Sequence, residues 1–419
     1  MPPGVRDHLP ADALRRRGIV SALAAELTRW GYQAIITPIY EYDEVLERGF
    51  ADGRGTRSMR FVEPSSGEIL ALRPDLTPQV ARLVATRLHD EPGPLRLFYE
   101  GSVVRMPGAR ELYQVGAELI DAPQPGGDLE VIMLAESALR AAGVDALKLD
   151  LGHAALARAA LDDLGLDETR EAELHAALQK KDGARVAELA EAAKISPRRR
   201  KLVAALPSLY GGPEVIARAR ALADGKECAH ALDELELLVE RLGAIGPRER
   251  LSIDLGEVRG FHYYTGTRFA AYADGAPGSL FAGGRYDRLV ERYGRAARAT
   301  GFAVDVEAVA ALLASRAPAR AGGVLVAGEA VLAARLAARF REAPHHARAV
   351  LDLDETTESD ATLRERAARA GLTRVVIVTA AKLRWFDVDD GGRGSLAGAA
   401  LKRLQQDPSA PLDALLPPR

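Results

Sequence analysis

Apolar positions near the start of the chain follow a helical period. Leu14, Ile19, Leu23 and Leu27 fall close to a 3.6-residue spacing, with Arg15, Arg16, Arg17 and Glu26 on other faces. This predicts a helix over 11–30 that Gly31 stops. The pattern then turns extended. Gln33–Thr37 reads as a strand ending at Pro38, and two short strands, 59–63 and 69–72, flank a turn at Ser65-Ser66-Gly67. A helix over 77–87 opens with Pro78, where the missing amide hydrogen costs little. Residues 95–104 and 111–120 predict an antiparallel pair, and 131–142 a helix. Two strands with near-matching patterns, LKLDLG over 147–152 and LSIDLG over 251–256, bracket nearly a hundred residues of helical spacing. Within them Leu156, Leu161 and Leu164, then Leu174 and Leu178, then Leu232, Leu235, Leu238 and Leu242 mark successive helices, read as a helical insertion at about 154–249.

Further strands are expected around 268–272 and 280–282, a helix near 286–293 and a closing helix from Val306. The run SRAPARAGG over 315–323 is a linker by composition. Beyond it strand and helix alternate: 324–326, 331–341, 349–351, 362–370 and 374–378. The expected architecture is α+β: an antiparallel sheet with helices and a helical insertion over 1–318, then a small α/β domain over 319–419.

Composition narrows the function classes. The 56 basic and 59 acidic residues of the 419-residue chain give a net charge of -3, without the basic excess that phosphate contacts demand of a dedicated nucleic-acid binder. One cysteine, Cys228, excludes an internal disulfide or a cysteine metal cluster and reads as an inert structural thiol. No apolar run approaches the ~18–20 residues of a membrane span, and the Pro2–Asp7 start does not resemble a secretory signal, so a cytoplasmic protein is expected. Neither GxGxxG after a strand nor GxxxxGK[ST] occurs, and no cofactor or metal is expected.

Four segments then carry a resemblance. Leu72-Arg73-Pro74-Asp75-Leu76-Thr77 resembles the LRPE-x-T segment of histidyl-tRNA synthetases, and Val258–Gly266 (VRGFHYYTG) is similar to that family's RGLDYYTG histidine motif. Gly283-Gly284-Arg285-Tyr286-Asp287 resembles its GGRYD motif, and Gly301–Ala308 resembles its motif 3. The resemblance runs from residue 2 to about 312. It implies the class II aminoacyl-tRNA synthetase sheet, followed by a reduced relative of the anticodon-binding domain. Two departures matter. Motif 2 keeps Arg105 but has Pro107 where the family carries Glu, and motif 3 has Ala308 where an Arg meets the ATP phosphates, with Asp305 at a glycine position. Polyphosphate recognition needs fixed positive charge, so the nucleotide pocket reads as lost and the amino-acid pocket as kept.

That combination resembles the regulatory subunits of short-form ATP phosphoribosyltransferase, which open histidine biosynthesis. RPDLTPQ over 73–79, His262 in place of the synthetase Asp, and FAAY over 269–272 all resemble those subunits. The resemblance implies a non-catalytic chain that binds L-histidine, activates a catalytic partner and mediates feedback inhibition. It also implies a homodimer core and no tRNA. The competing readings are a histidine–tRNA ligase with divergent motifs and an amino-acid-binding paralogue that regulates something else. By the same resemblance Arg259 holds the ligand carboxylate, with Arg105 nearby. Asp75, Thr77 and Gln114 hold the ammonium; Glu118 and Tyr264 hold the imidazole, and Tyr286 completes the wall. Asp75 can equally cap the helix at Thr77, and the two roles are compatible. His262 reads as a packing or pocket-shaping residue, His345-His346 as solvent-exposed and the basic run Arg198–Lys201 as a solvated face.

Overall fold

The amphipathic run at the start forms α1 (Pro10–Arg29), with Ile19, Leu23 and Leu27 buried, and the chain leaves it through Gly31 at φ +83°, a left-handed turn glycine tolerates. In this computed structural model the described residues are 1, 3–50, 58–106, 110–258, 264–315, 322–342, 347–353, 359–389, 391–407, 411–412 and 415. They divide between two units, Met1–Ser315 and Arg316–Arg419.

In the first unit α1 is followed by β1 (Gln33–Ala34), β2 (Tyr40–Tyr42), α2 (Asp43–Gly49), β3 (Arg60–Val62) and β4 (Ile69–Leu72). The last three strands form a small sheet in the order β2-β4-β3. The strand expected over Gln33–Thr37 pairs only at Gln33–Ala34, parallel to the next long strand. Farther along, side chains claim the backbone: Arg73 Nη1 donates to Thr37 O at 2.9 Å, and Gln79 Nε2 donates to Pro38 O at 2.9 Å. Then come α3 (Thr77–Thr86), the hairpin β5 (Leu95–Arg105) and β6 (Arg110–Ile120), α4 (Gly126–Ala141) and β7 (Lys148–His153).

The block between the two matching strands holds α5 (Ala154–Leu161), α6 (Glu168–Gln179), α7 (Gly183–Ala192), α8 (Pro197–Ala205), β8 (Tyr210–Gly211), α9 (Glu214–Leu222) and α10 (Gly225–Ile245). Its one strand, β8, was not legible in the helical spacing; it pairs with β9 (Leu251–Asp254). The near-repeats LKLDLG and LSIDLG lie side by side as parallel β7 and β9. The basic run sits at the start of α8, where Ser196 Oγ accepts from Arg199 N, Arg199 donates to Ala160 O and Arg200 meets Glu191. Cys228 is buried in α10, and burial pushes its thiol pKa up.

β10 (Thr267–Tyr272), β11 (Phe281–Arg285), β12 (Ala299–Asp305) and α11 (Val306–Leu312) close the unit. The helix expected near 286–293 is a single 3-10 turn over Val290–Tyr293. Tyr286 N donates to Ala299 O and Asp287 N to Thr265 Oγ1, which ties the chain there to β12 and to the loop before β10.

The main sheet runs β1-β5-β6-β12-β11-β10-β7-β9-β8, antiparallel except at β1·β5 and β7·β9. The period-2 alternation of β6 divides its two faces. Val115, Ala117 and Leu119 join Leu23 and Leu27 of α1 and Val131 and Ile132 of α4 in the larger core. Leu112 and Ile120 join Leu76, Val80 and Val84 beside α3 on the other face. Gln114, Gly116 and Glu118 share that second face, and the site lies there.

In the second unit β13 (Val324–Gly328), α12 (Ala330–Arg341), β14 (Ala349–Leu351), α13 (Asp360–Arg369) and β15 (Arg374–Val378) match the alternating pattern. β16 (Lys382–Asp387), β17 (Arg393–Ala397) and α14 (Gly398–Gln406) extend it beyond the last strand legible in the sequence. Sheet order is β14-β13-β15-β16-β17, parallel at the first two pairings and antiparallel at the others. Among the described residues no helix is long and apolar enough to cross a membrane.

Candidate functional site

One row across the main sheet organises the site. In register it reads Leu97–Glu118–Gly301–Gly284–Arg268, across β5, β6, β12, β11 and β10. The two glycines open a trough. A Cβ at Gly301 would overlap Glu118 Oε2, and a Cβ at Gly284 would lie 2.8 Å from Tyr264 Cδ1. A glycine inside a strand often marks such a close approach. The Glu118 carboxyl therefore lies over Gly301 and the Tyr264 ring over Gly284, its partner on the neighbouring strand. Tyr286 packs near Tyr264, with ring centroids 6.5 Å apart.

The mouth of the trough is a cleft of about 160 Å³. Asp75, Thr77, Arg105, Gln114, Tyr264 and Tyr286 line it, together with Ser279, Phe281, Gly301, Ala303 and Asp305. The segment RPDLTPQ splits its labour by position. Arg73 and Gln79 are buried and tie down Thr37 and Pro38, while Asp75 and Thr77 reach the cleft. Asp75 Oδ1 accepts from Thr77 N at 3.1 Å, so its helix-start role is present beside its place in the cleft. Arg105 Nη2 lies 3.8 Å from Asp75 Oδ2, and its Nε donates to Pro74 O at 3.3 Å.

Glu118 is 1% exposed. Its Oε1 accepts from Thr77 Oγ1 at 2.8 Å and from the Tyr99 hydroxyl at 3.4 Å, while Oε2 is buried without a partner. Burial pushes its pKa well above the usual carboxylate range; nearby Asp75 adds to the rise, and Thr77 and Tyr99 oppose it. Gln114 Oε1 is likewise buried without a partner. Two buried acceptors lacking donors imply a ligand that brings N–H groups, because an unmet buried acceptor costs about 1–3 kcal/mol. The Tyr264 phenol is pushed up to about 12, mainly by burial, and stays neutral at physiological pH.

GGRYD divides in the same way. Arg285 is buried against Asp128, with Nη2–Oδ1 at 2.9 Å, and Asp287 Oδ1 accepts from Ala299 N at 3.0 Å. Tyr286 alone of its side chains reaches the cleft. In motif 3, Ala308 is buried and Asp305 caps α11, its Oδ1 accepting from Ala308 N at 3.0 Å. Of the eight residues expected at the site, six line the cleft, and Glu118 is bonded to Thr77 beneath it. Arg259 lies outside the described residues, as do Pro107, His262, His345 and His346. Tyr99, Gly284, Gly301 and Asp305 were missed as site residues; glycines at strand positions were the one signal pointing to two of them. No group of three or more His, Cys, Asp or Glu among the described residues could hold a metal ion.

The histidyl-tRNA synthetase family profile matches residues 4–309. An ATP phosphoribosyltransferase regulatory subunit from Geobacter metallireducens is 36% identical over 314 residues, covering 74% of this chain and 72% of that one. A second, from Moorella thermoacetica, is 38% identical over 378 residues, covering 89% and 96%. The chain belongs to the histidyl-tRNA synthetase family, among its ATP phosphoribosyltransferase regulatory subunits. A Bacillus halodurans structure described as an ATP phosphoribosyltransferase regulatory subunit/histidyl-tRNA synthetase superposes with a TM-score of 0.76 at 31% identity, over 90% of this chain and 97% of that one. Histidyl-tRNA synthetase from Nostoc superposes with a TM-score of 0.78 at 20% identity, over 97% and 98%, which carries the class II fold alone. Asp305, at the start of α11, lines the cleft, and Ala308 is buried in the first turn of that helix.

Proposed function

We propose that this chain is the non-catalytic regulatory subunit of a short-form ATP phosphoribosyltransferase. It binds L-histidine in the β6–β12–β11 trough, activates the catalytic subunit and transmits feedback inhibition. The observation that carries this reading is a trough with two unmet buried acceptors, Gln114 Oε1 and Glu118 Oε2, beside a helix start that offers Ala308 and Asp305 instead of an arginine. Glu118 and neutral Tyr264 flank a slot for a flat ring with a polar nitrogen on each edge, which favours imidazole over a phenyl ring. Thr77, Asp75 and Gln114 receive the ammonium, and Arg105 and Arg259 the carboxylate. Named relatives from Geobacter and Moorella support the regulatory assignment. No tRNA partner is proposed, and residues 319–419 are read as a reduced relative of an anticodon-binding domain.

The same reading includes a homodimer core and a cytoplasmic location. Exposed Tyr40, Tyr42 and Phe61 on one face of the β2-β4-β3 sheet form an apolar surface that a second copy would cover.

The deciding experiment mixes this chain with its catalytic partner and assays phosphoribosyl transfer. The partner alone should be weakly active, the mixture active, and histidine inhibitory only in the mixture. Tyr264→Ala should still assemble and activate while losing inhibition. Linkage makes the test two-sided: a phosphoribosyl substrate whose binding histidine weakens must weaken histidine binding by the same factor. Inhibition at full strength with a variant that does not bind histidine would place the regulatory site on the partner. Histidine-dependent ATP–pyrophosphate exchange at synthetase rates would restore the histidine–tRNA ligase reading.

A further inference from the structure

Asp305 has no place in the amino-acid recognition set described above, yet it lines the cleft. It lies directly opposite Gln114 in the β6–β12 register, which puts the two Cβ atoms about 4.5–5.5 Å apart on one face. We infer that Asp305 is a ligand-binding residue, a second carboxylate that receives the α-ammonium of the bound amino acid together with Gln114 Oε1. The inference deepens the histidine-binding reading and rests on it.

Three observations lead there. Gln114 is 5% exposed, lines the cleft and has a buried Oε1 without a donor. A donor brought to that oxygen enters the reach of the opposed carboxylate. Asp305 spends only Oδ1 on its own helix, accepting from Ala308 N, and Oδ2 accepts from no described residue. Asp75, by contrast, is committed on both sides: Oδ1 accepts from Thr77 N, and Oδ2 lies 3.8 Å from the Arg105 guanidinium. Much of its charge is therefore answered by Arg105 before a ligand arrives. Asp75 and Asp305 both line this cleft. A cationic group near Gln114 is attracted to the free oxygen of Asp305, whereas a phosphate there would be repelled by it. The carboxylate that disfavours a nucleotide thus tightens the hold on the amino group.

Asp305→Asn tests this, because asparagine caps helices about as well as aspartate and α11 should keep its start. Calorimetry on the full chain would use two probes: L-histidine, and imidazolepropionate, which keeps the ring and carboxylate but lacks the amino group. The variant should bind histidine roughly tenfold more weakly, the size of a lost charge-assisted contact. Its affinity for imidazolepropionate should be unchanged or higher. Asp305→Ala should repeat the pattern, with added loss of thermal stability from the missing cap. Equal weakening of both probes, or no weakening of histidine, would overturn the inference and leave Asp305 as a helix cap only. A wild-type chain that binds neither probe would instead sink the histidine-binding reading, and this inference with it.

Discussion

Adding one methyl group at Gly301 should abolish ligand binding while the fold persists. A Cβ there would sit 2.6 Å from Glu118 Cδ and 2.6 Å from the Ala117 carbonyl oxygen, besides overlapping Glu118 Oε2. Non-bonded carbons rest about 3.5–4.0 Å apart, so the Glu118 carboxyl must retreat by roughly 1 Å. The backbone oxygen of Ala117 belongs to the β6–β12 ladder and cannot retreat without loosening it. Displacing the carboxyl puts at risk the 2.8 Å bond from Thr77, and the methyl itself raises the trough floor. Overpacking of this kind costs about 1–3 kcal/mol of stability. Loss of a charge-assisted ligand bond costs about 1.5–3 kcal/mol, or roughly ten- to a hundredfold in affinity, before the lost space is counted. Titration calorimetry with histidine and a thermal melt of Gly301→Ala report the two effects separately. Gly18→Ala is the control: it lies inside α1 with nothing within 4 Å of the added Cβ, and should gain about 0.5–1 kcal/mol of helix stability without touching binding. Near-wild-type histidine affinity in Gly301→Ala would refute the trough as the ring's slot.

Glu118→Gln should stabilise the ligand-free protein at neutral pH while removing histidine binding. Burial raises the folded-state pKa of Glu118, so its ionisation costs the fold progressively more as pH rises from about 4.3 through the raised value; the gain from glutamine should be of order 1–3 kcal/mol at pH 8 and vanish near pH 4 in paired melts. Asp128→Ala should destabilise the first unit by about 3–5 kcal/mol in denaturant titration, because it strands buried Arg285; replacing both partners with apolar residues, as in Asp128→Leu with Arg285→Met, should recover much of that loss. A single variant no less stable than wild type would mean Arg285 is satisfied elsewhere.

The contrast between what was legible and what was not has a physical basis. Periodicity alone predicted α1, α3, the β5–β6 hairpin and β15, because each buries one face and burial imposes a period. The four motif segments located the strands and loops that carry the site. Periodicity did not reveal the short pairings β2 and β8, or the 3-10 turn at Val290–Tyr293, whose partners lie far away in sequence. Nor did a motif reveal the division of labour inside it. Within the motif segments Arg73 clamps Thr37 and Arg285 pairs with Asp128, whereas Arg105 lines the cleft. Which arginine faces a ligand depends on which face of the sheet it occupies and what already holds it. The trough itself is a cross-strand object: Glu118, Gly301 and Gly284 are separated by up to 183 positions and become neighbours only when β6, β12 and β11 pair in register. Residue types and their local order were therefore written in the sequence, whereas the unmet acceptors that call for a ligand exist only once the sheet has closed around them.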